Sequence, residues 1–555
     1  MEYPFKIENF IKLYEKSFAE HWDLPALSNY GSAPQTYGQI AEEIAKLHLL
    51  YMALGVKPGD KIALCGKDSA GWVKVFMATV TYGAIIVPIL PDFNPVDITH
   101  IVNHSEACLF FVTDQIWEHI EPDKLLNIKG VLSLDQEKAV FETPETELSR
   151  NLRLLRRRFK RLYPNGYSRE DVRYANRDNK EVIEINYTSG TTGFSKGVML
   201  TGENLAGNVC FGIYAKLFEK GNHTLSFLPL AHAYGCAFDL LTPLAQGVHI
   251  YILGKIPSPR VLLKALSDVK PQLVICVPLI LEKIYKNQIL PMISKGTMRW
   301  TLAVPFLDTF IYSKIRKKLI EAFGGNFSQV IVGGAALNHE VEEFLHKIKF
   351  PFTVGYGMTE CGPLISYSPW NEFIVGSCGK TIPDMESKVL SPDPENIPGE
   401  ICVRGANRMK GYFKNPEATK AVIDDEGWLH TGDMGTRSAD GVLFLRGRNK
   451  TMILSSSGQN IYPEEIEAKL NNMPFVAESL VVERDGKLVA LVYPDYEAMD
   501  KLGIPLADMD DTMENIRKEL NKIVAPYEQI AKIVLMPNEF EKTPKRSIKR
   551  FLYTR

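Results

Sequence analysis

The sequence predicts an α/β fold: a large N-terminal domain of parallel-rich sheets with helices, followed by a small α+β C-terminal domain. Three observations predict it. Short apolar runs bounded by glycine or proline alternate with amphipathic stretches as far as QVIVGGA (329–335), the pattern of strands buried under helices on both faces. Near residue 396 the texture changes to short runs separated by turns, as in IPGEICVRG and GVLFLRGRNKTMIL. The chain also has 555 residues, whereas a single core stops growing near ~250–300 residues.

Taken in order, TYGQIAEEIAKLHLLYMALGV has helical periodicity from Thr36 and stops at Gly55. KIALCGK (61–67) is a short apolar strand ending at glycine. VFMATVTYGAIIVPIL (75–90) contains Gly83 and Pro88; it reads as a buried helix followed by a buried strand, and is shorter than the ~20 residues of a spanning helix. ACLFFVTD (107–114), EVIEINYTSG, TLSFLPL (224–230), VHIYILG (248–254) and QLVICVP (272–278) are further strands. SLVVERDGKLVALVYP (479–494) is a hairpin turning at Asp485-Gly486, and DTMENIRKELNKIV is a helix. The boundary falls near Arg448–Lys450, giving domains 1–448 and 449–555. No internal repeat is visible.

Composition bounds the function. Hydrophobic residues make up 45% and charged residues 23%, a soluble globular balance. The formal charge is −2, so bulk electrostatics give no reason to expect nucleic acid. Eight cysteines include no CxxC pair, which favours reduced thiols and a cytoplasmic location. MEYPFKIENF has no apolar core of a signal peptide. One stretch stands out by charge: LRLLRRRFKRLY (152–163) sets basic residues among leucines and aromatics. It reads as a solvated helix or linker, with peripheral contact to the inner face of an anionic membrane as the other reading.

YTSGTTGFSKGVML (187–200) carries three glycines, six hydroxyl residues and one lysine. It is not GxxxxGK[ST], because Ser195 precedes Lys196 and Gly197 follows it. Its chemistry still suits anionic oxygens: glycines let N–H groups converge, hydroxyls donate and lysine supplies charge. The loop resembles the signature of the adenylate-forming (AMP-binding) enzymes, and further motifs in the family's order extend that resemblance over nearly the whole chain. It implies that Thr188, Ser189, Gly190, Thr191, Thr192, Gly193 and Lys196 hold the β- and γ-phosphates of ATP. LPLAHAYG (228–235) resembles the segment beside the substrate carboxylate, placing His232 there with Tyr234 close by. GGAAL (333–337) resembles the adenine loop, with Gly334, Ala335 and Ala336. GYGMTECGP (355–363) resembles the motif in which Tyr356 stacks on adenine, flanked by Gly357 and Met358, Thr359 contacts the α-phosphate, and Glu360 holds Mg²⁺, with Thr188 as the other metal ligand. GWLHTGDMG (427–435) gives Asp433 the ribose hydroxyls. LRGRNKTMILSSSGQNIYPEEIE (445–467) resembles the hinge motif, with Arg448 on the ribose side, Lys450 at the hinge and Gly458 lining the thiol tunnel.

The tail departs from the pattern. The family's last motif carries a catalytic lysine, but in FEKTPKRSIKRFLYTR Ser547 occupies that position. Lys545 and Lys549 are the basic residues that a shift in register could present. The overall texture is most similar to bacterial long-chain fatty acyl-CoA ligases. The resemblance therefore implies adenylation of a fatty acid by ATP with Mg²⁺, then transfer to coenzyme A. The alternatives are an acyl carrier protein as acceptor, an aryl or other acid as substrate, or a non-catalytic nucleotide-binding protein.

Overall fold

The computed structural model describes residues 5–188, 195–254, 258–293, 307–454, 459–501, 503, 505, 508–543 and 547–554. The chain forms two compact units. The first comprises residues 1–188, 195–386 and 403–429; the second takes in 387–402 and 430–555, together with 189–194.

The first unit has the predicted α/β architecture. Its largest sheet has eight strands, and five of them are consecutive parallel neighbours: Val182–Thr188, Ile85–Ile89, Lys61–Cys65, Ala107–Val112 and Gly130–Ser133. Antiparallel strands close both edges. Lys196–Thr201 and then Gly411–Tyr412 lie beyond Val182–Thr188, and Ala139–Glu142 lies at the far side. The central strands are nearly continuous apolar runs because helices cover both faces. A parallel three-stranded sheet follows the order Leu273–Cys276, Gln329–Val332, Phe352–Val354.

Local chemistry explains the boundaries of these elements. Thr36 and Gln39 form a capping box that starts the helix Tyr37–Ala53, satisfying two orphan amides. The buried helix begins earlier than its apolar run suggested, at Ala70, where the Ser69 hydroxyl accepts from Trp72 N. It ends at Gly83, whose φ of 88° is the left-handed turn that favours glycine. The strand Ile85–Ile89 follows, as the sequence indicated.

In the second unit, Val476–Arg484 and Lys487–Pro494 pair antiparallel, and Lys532–Leu535 adds parallel to the latter. Asp485 and Gly486 both have positive φ, at 52° and 70°, the two-residue hairpin geometry that Asp-Gly favours. The helices Pro463–Asn471 and Met509–Ile523 bring Ile466, Leu470, Met513, Ile516 and Leu520 into one core with that sheet. All eight cysteines are free thiols, and no helix among the described residues is long and apolar enough to cross a membrane.

Candidate active site

The glycine-rich stretch is the connection of a hairpin. Val182–Thr188 and Lys196–Thr201 pair antiparallel, and Thr188 opposite Lys196 is the last pair. Ser189, Gly190, Thr191, Thr192 and Gly193 lie outside the described residues. Lys196 points its Nζ at the Tyr412 ring, 4.9 Å from the centroid. Tyr412 is brought there by pairing across from Val198, and its hydroxyl donates to Glu360 Oε1 at 2.9 Å. Burial and the Glu360 charge push the Tyr412 phenol pKa upward, so Tyr412 stays a neutral donor. Thr188, Lys196, Tyr412 and Glu360 are thus joined by successive contacts, although Lys196 and Glu360 are 164 residues apart in sequence.

The helix Gly202–Tyr214, which follows the hairpin, holds the rest of this cluster. Asn208 accepts from Leu364 N at 2.8 Å and donates to Cys361 O, which fixes the turn carrying Thr359 and Glu360. Asn204 donates to the carbonyls of Ala406 and Arg408 at 2.7 and 2.8 Å, and Asn407 returns a hydrogen bond to Leu364 O at 2.9 Å. Met409 N donates to Glu360 O at 2.7 Å. Thr359 is buried and Glu360 half-buried.

The His232 loop is tied to the same strand. Asn186, on Val182–Thr188, donates to Ala231 O at 3.1 Å and to Glu184 Oε1 at 2.8 Å. His232 precedes a short helical turn, with Nδ1 accepting from Tyr234 N at 3.5 Å. Tyr234 in turn reaches the GGAAL loop. Its hydroxyl donates to Ile331 O at 3.1 Å, and a Cβ at Gly333 would sit 2.9 Å from its ring. Gly334 has φ +86°, and Gly334, Ala335 and Ala336 are exposed. Tyr356 is buried, and Gly357, exposed, has no room for a Cβ because Pro363 O would lie at 2.3 Å. Met358 is half-buried.

Two carboxyls beneath this loop are perturbed by burial. Desolvation raises Glu184 to about 7, against the pull of Asn186. It raises Asp68 to about 7 as well, against the Leu230 amide that donates to it at 3.1 Å.

The second unit presents its own group. Asp433 lies opposite Arg448 in the antiparallel pair Leu429–Arg437 and Leu443–Arg448, and Arg448 Nε is 3.1 Å from Asp433 Oδ1. Glu400 shapes the turn before it: Oε1 accepts from Gly432 N at 3.1 Å and Oε2 lies 3.0 Å from His430 Nδ1. Thr431 donates to Ile401 O and accepts from Asp433 N. Lys450 is exposed in the turn after Arg448. Lys549 sits 3.4 Å from Glu541 Oε2, and Ser547 is exposed. Gly458 and Lys545 lie outside the described residues. The sequence reading missed Asn186, Asn204, Asn208, Tyr412 and Glu400. The only signal for them lay in VIEIN, GENLAGN, MKGYF and GEICVRG, which carry polar residues inside apolar or glycine-rich segments.

Residues 14–413 match the AMP-binding enzyme family. The chain belongs to that family, which is the class that the fold and the first unit's cluster define. Among its relatives is a long chain acyl-CoA synthetase 1 of Arabidopsis thaliana, 30% identical over 84% of this chain and 75% of that protein. Another is a 4-coumarate–CoA ligase of Humulus lupulus, 29% identical over 98% and 93%. The fold is similar to ATP-bound MatB from Rhodopseudomonas palustris, with TM-score 0.75, 22% identity and 98% of each chain covered.

ATP, Mg²⁺ and coenzyme A are the cofactors of this chemistry. The residues fit ATP and Mg²⁺. Glu360 and Thr188 offer the hard oxygen atoms that Mg²⁺ takes. Lys196 supplies a cation beside them, and Gly357 and Gly334 leave backbone uncovered where a flat base needs close approach.

Proposed function

We propose that the protein is an AMP-forming ligase that joins a long-chain fatty acid to coenzyme A. The observation that carries the reading is the contact series Thr188–Lys196–Tyr412–Glu360, with the His232 loop fastened to the same strand by Asn186. A cation and a carboxylate joined in one series of contacts suit a triphosphate and its metal, and the neighbouring loop has small residues, Ala231, Ala233 and Gly235.

In the first step the substrate carboxylate attacks the α-phosphorus of ATP and pyrophosphate leaves. Thr188 and Lys196 bind the leaving phosphates, and Thr359 donates to the α-phosphate. Glu360 and Thr188 would hold Mg²⁺, which would supply charge neutralisation at the phosphate oxygens. Tyr412 keeps the Glu360 carboxylate oriented. His232 lies beside the acid. The thiol of coenzyme A then attacks the acyl carbon and AMP leaves. Asp433 and Arg448, paired across neighbouring strands, suit the hydroxyls of the ribose.

The apolar segment CVPLILEKI and the absence of Asp, Lys and Arg from LPLAHAYG support an acyl chain as substrate. An aryl acid is the second reading, favoured by the 29% identity to a 4-coumarate–CoA ligase. Coenzyme A-dependent AMP formation, measured with fatty acids of graded length and with benzoate- and cinnamate-type acids, tests it. Turnover greatest with long fatty acids is expected. Greater turnover with an aryl acid would transfer the assignment, and ATP binding without turnover on any acid would make the protein a nucleotide binder.

A further inference from the structure

The proposed reaction leaves the basic helix Leu148–Leu162 unused. Its packing shows a fixed element rather than a linker: Leu148, Asn151 and Phe159 are buried. The Phe159 ring lies 4.9 Å from Tyr163, and Tyr163 lies 4.9 Å from Tyr167. Lys46 of the helix Tyr37–Ala53 covers Phe159 at 5.3 Å.

With that face committed, Arg153, Arg156, Arg157, Lys160 and Arg161 are all exposed. Their spacing of i, i+3, i+4, i+7 and i+8 puts them on one stripe, about 12 Å long at 1.5 Å per residue. Among the described residues none of the five has a carboxylate within ion-pair distance. Several acids of neighbouring segments are engaged elsewhere. Glu147 holds Arg150 at 2.8 Å, Glu42 and Glu43 hold Lys46, and Glu142 accepts from Ser149 N at 2.8 Å, with only a small pull from Arg153. Leu162, in the last turn but on the helix face opposite the stripe, is 56% exposed. The whole chain has a formal charge of −2, so the stripe is a local concentration of cations.

We propose that this helix seats the protein on an anionic phospholipid bilayer, with the five cations over the headgroups. Like charges on adjacent turns repel, and a negative surface removes that cost. The opposite face of the helix is committed to the protein, so the seating is electrostatic: a line of cations against a plane of anionic headgroups. Each basic side chain near such a surface contributes about a fivefold gain in partition, so the stripe contributes about three-thousandfold. The inference does not depend on the acid that the enzyme activates.

Cosedimentation of the full chain with vesicles tests it, comparing phosphatidylcholine alone with an equal mixture of phosphatidylcholine and phosphatidylglycerol. Binding to the mixed vesicles alone is expected, with loss in about 0.5 M salt. R156E/R157E should weaken binding about six-hundredfold and R156Q/R157Q about 25-fold, both with unchanged melting temperature. Equal binding to the two lipids, or mixed-vesicle binding unaffected by the substitutions, would overturn the proposal. So would no vesicle binding at all, which would leave an acidic protein as the partner of the stripe.

Discussion

Tyr412 joins Lys196 to Glu360, and its hydroxyl is the group whose removal reads out that arrangement. Tyr412→Phe keeps the ring under Lys196 and deletes only the hydrogen bond to the carboxylate. Steady-state kinetics at varied Mg²⁺ should show about a tenfold fall in adenylation, since a hydrogen bond to a charged group is worth about 1.5–3 kcal/mol, together with a raised Mg²⁺ requirement. Glu184 gives a prediction about pH. Its carboxyl is raised to about 7 in the folded chain, above the usual value near 4.3 for an unfolded one. The neutral form favours folding. Its contribution is therefore complete below pH ~4 and is lost as pH rises towards the folded value near 7. Glu184→Gln, which cannot ionise, should flatten the decline of melting temperature between pH 5 and pH 8. The variant should be the more stable chain at pH 8 by about 3 kcal/mol at most. Parallel pH profiles for the two chains would contradict this.

The helix Gly202–Tyr214 acts at the scale of an element, because two of its asparagines hold segments from elsewhere in the chain. Asn208→Ala would leave Leu364 N and Cys361 O without their side-chain partner inside the core. Denaturant unfolding should show a loss of about 2–4 kcal/mol. Gly357→Ala would drive a Cβ to 2.3 Å from Pro363 O. The clash is with backbone, so the turn carrying Thr359 and Glu360 must shift. A cost of about 1–3 kcal/mol is expected, with a larger fall in activity than in stability.

Elements of this kind mark where the sequence was legible. The helix after Thr36, the hairpin at Asp485-Gly486 and the parallel strands could be read because capping residues, turn residues and apolar runs act within a few positions. The start of the buried helix at Ala70 was missed because Ser69 caps it ahead of the apolar run. In the candidate site, the motifs placed Thr188, Lys196, His232, Thr359 and Glu360 on loops and strand ends. Tyr412 and the asparagines were invisible because their partners lie far away in sequence, 52 residues for Tyr412 and Glu360 and 202 for Asn204 and Ala406. Nothing local distinguishes a clamp of that kind from an ordinary buried amide.

For the whole molecule, the open chemical question is which cation completes the first half-reaction. Ser547 occupies the position of the expected lysine, and Lys549 is paired with Glu541. Lys545→Ala and Lys549→Ala, assayed separately, should divide. One slows pyrophosphate release by about a hundredfold or more, the loss expected when a group that stabilises transition-state charge is removed, and the other leaves it unchanged. Two unaffected variants would mean that another group does this work. The central claim is that Lys196 and Glu360 serve one triphosphate while an acid is activated beside it. The most direct measurement is acid-dependent exchange of labelled pyrophosphate into ATP, in the native chain and in Lys196→Ala and Glu360→Ala. Exchange that requires a fatty acid, and that falls by about a hundredfold or more in both variants while their melting temperatures stay unchanged, is the result expected. Exchange of native rate in either variant, or none with any acid in the native chain, would contradict it.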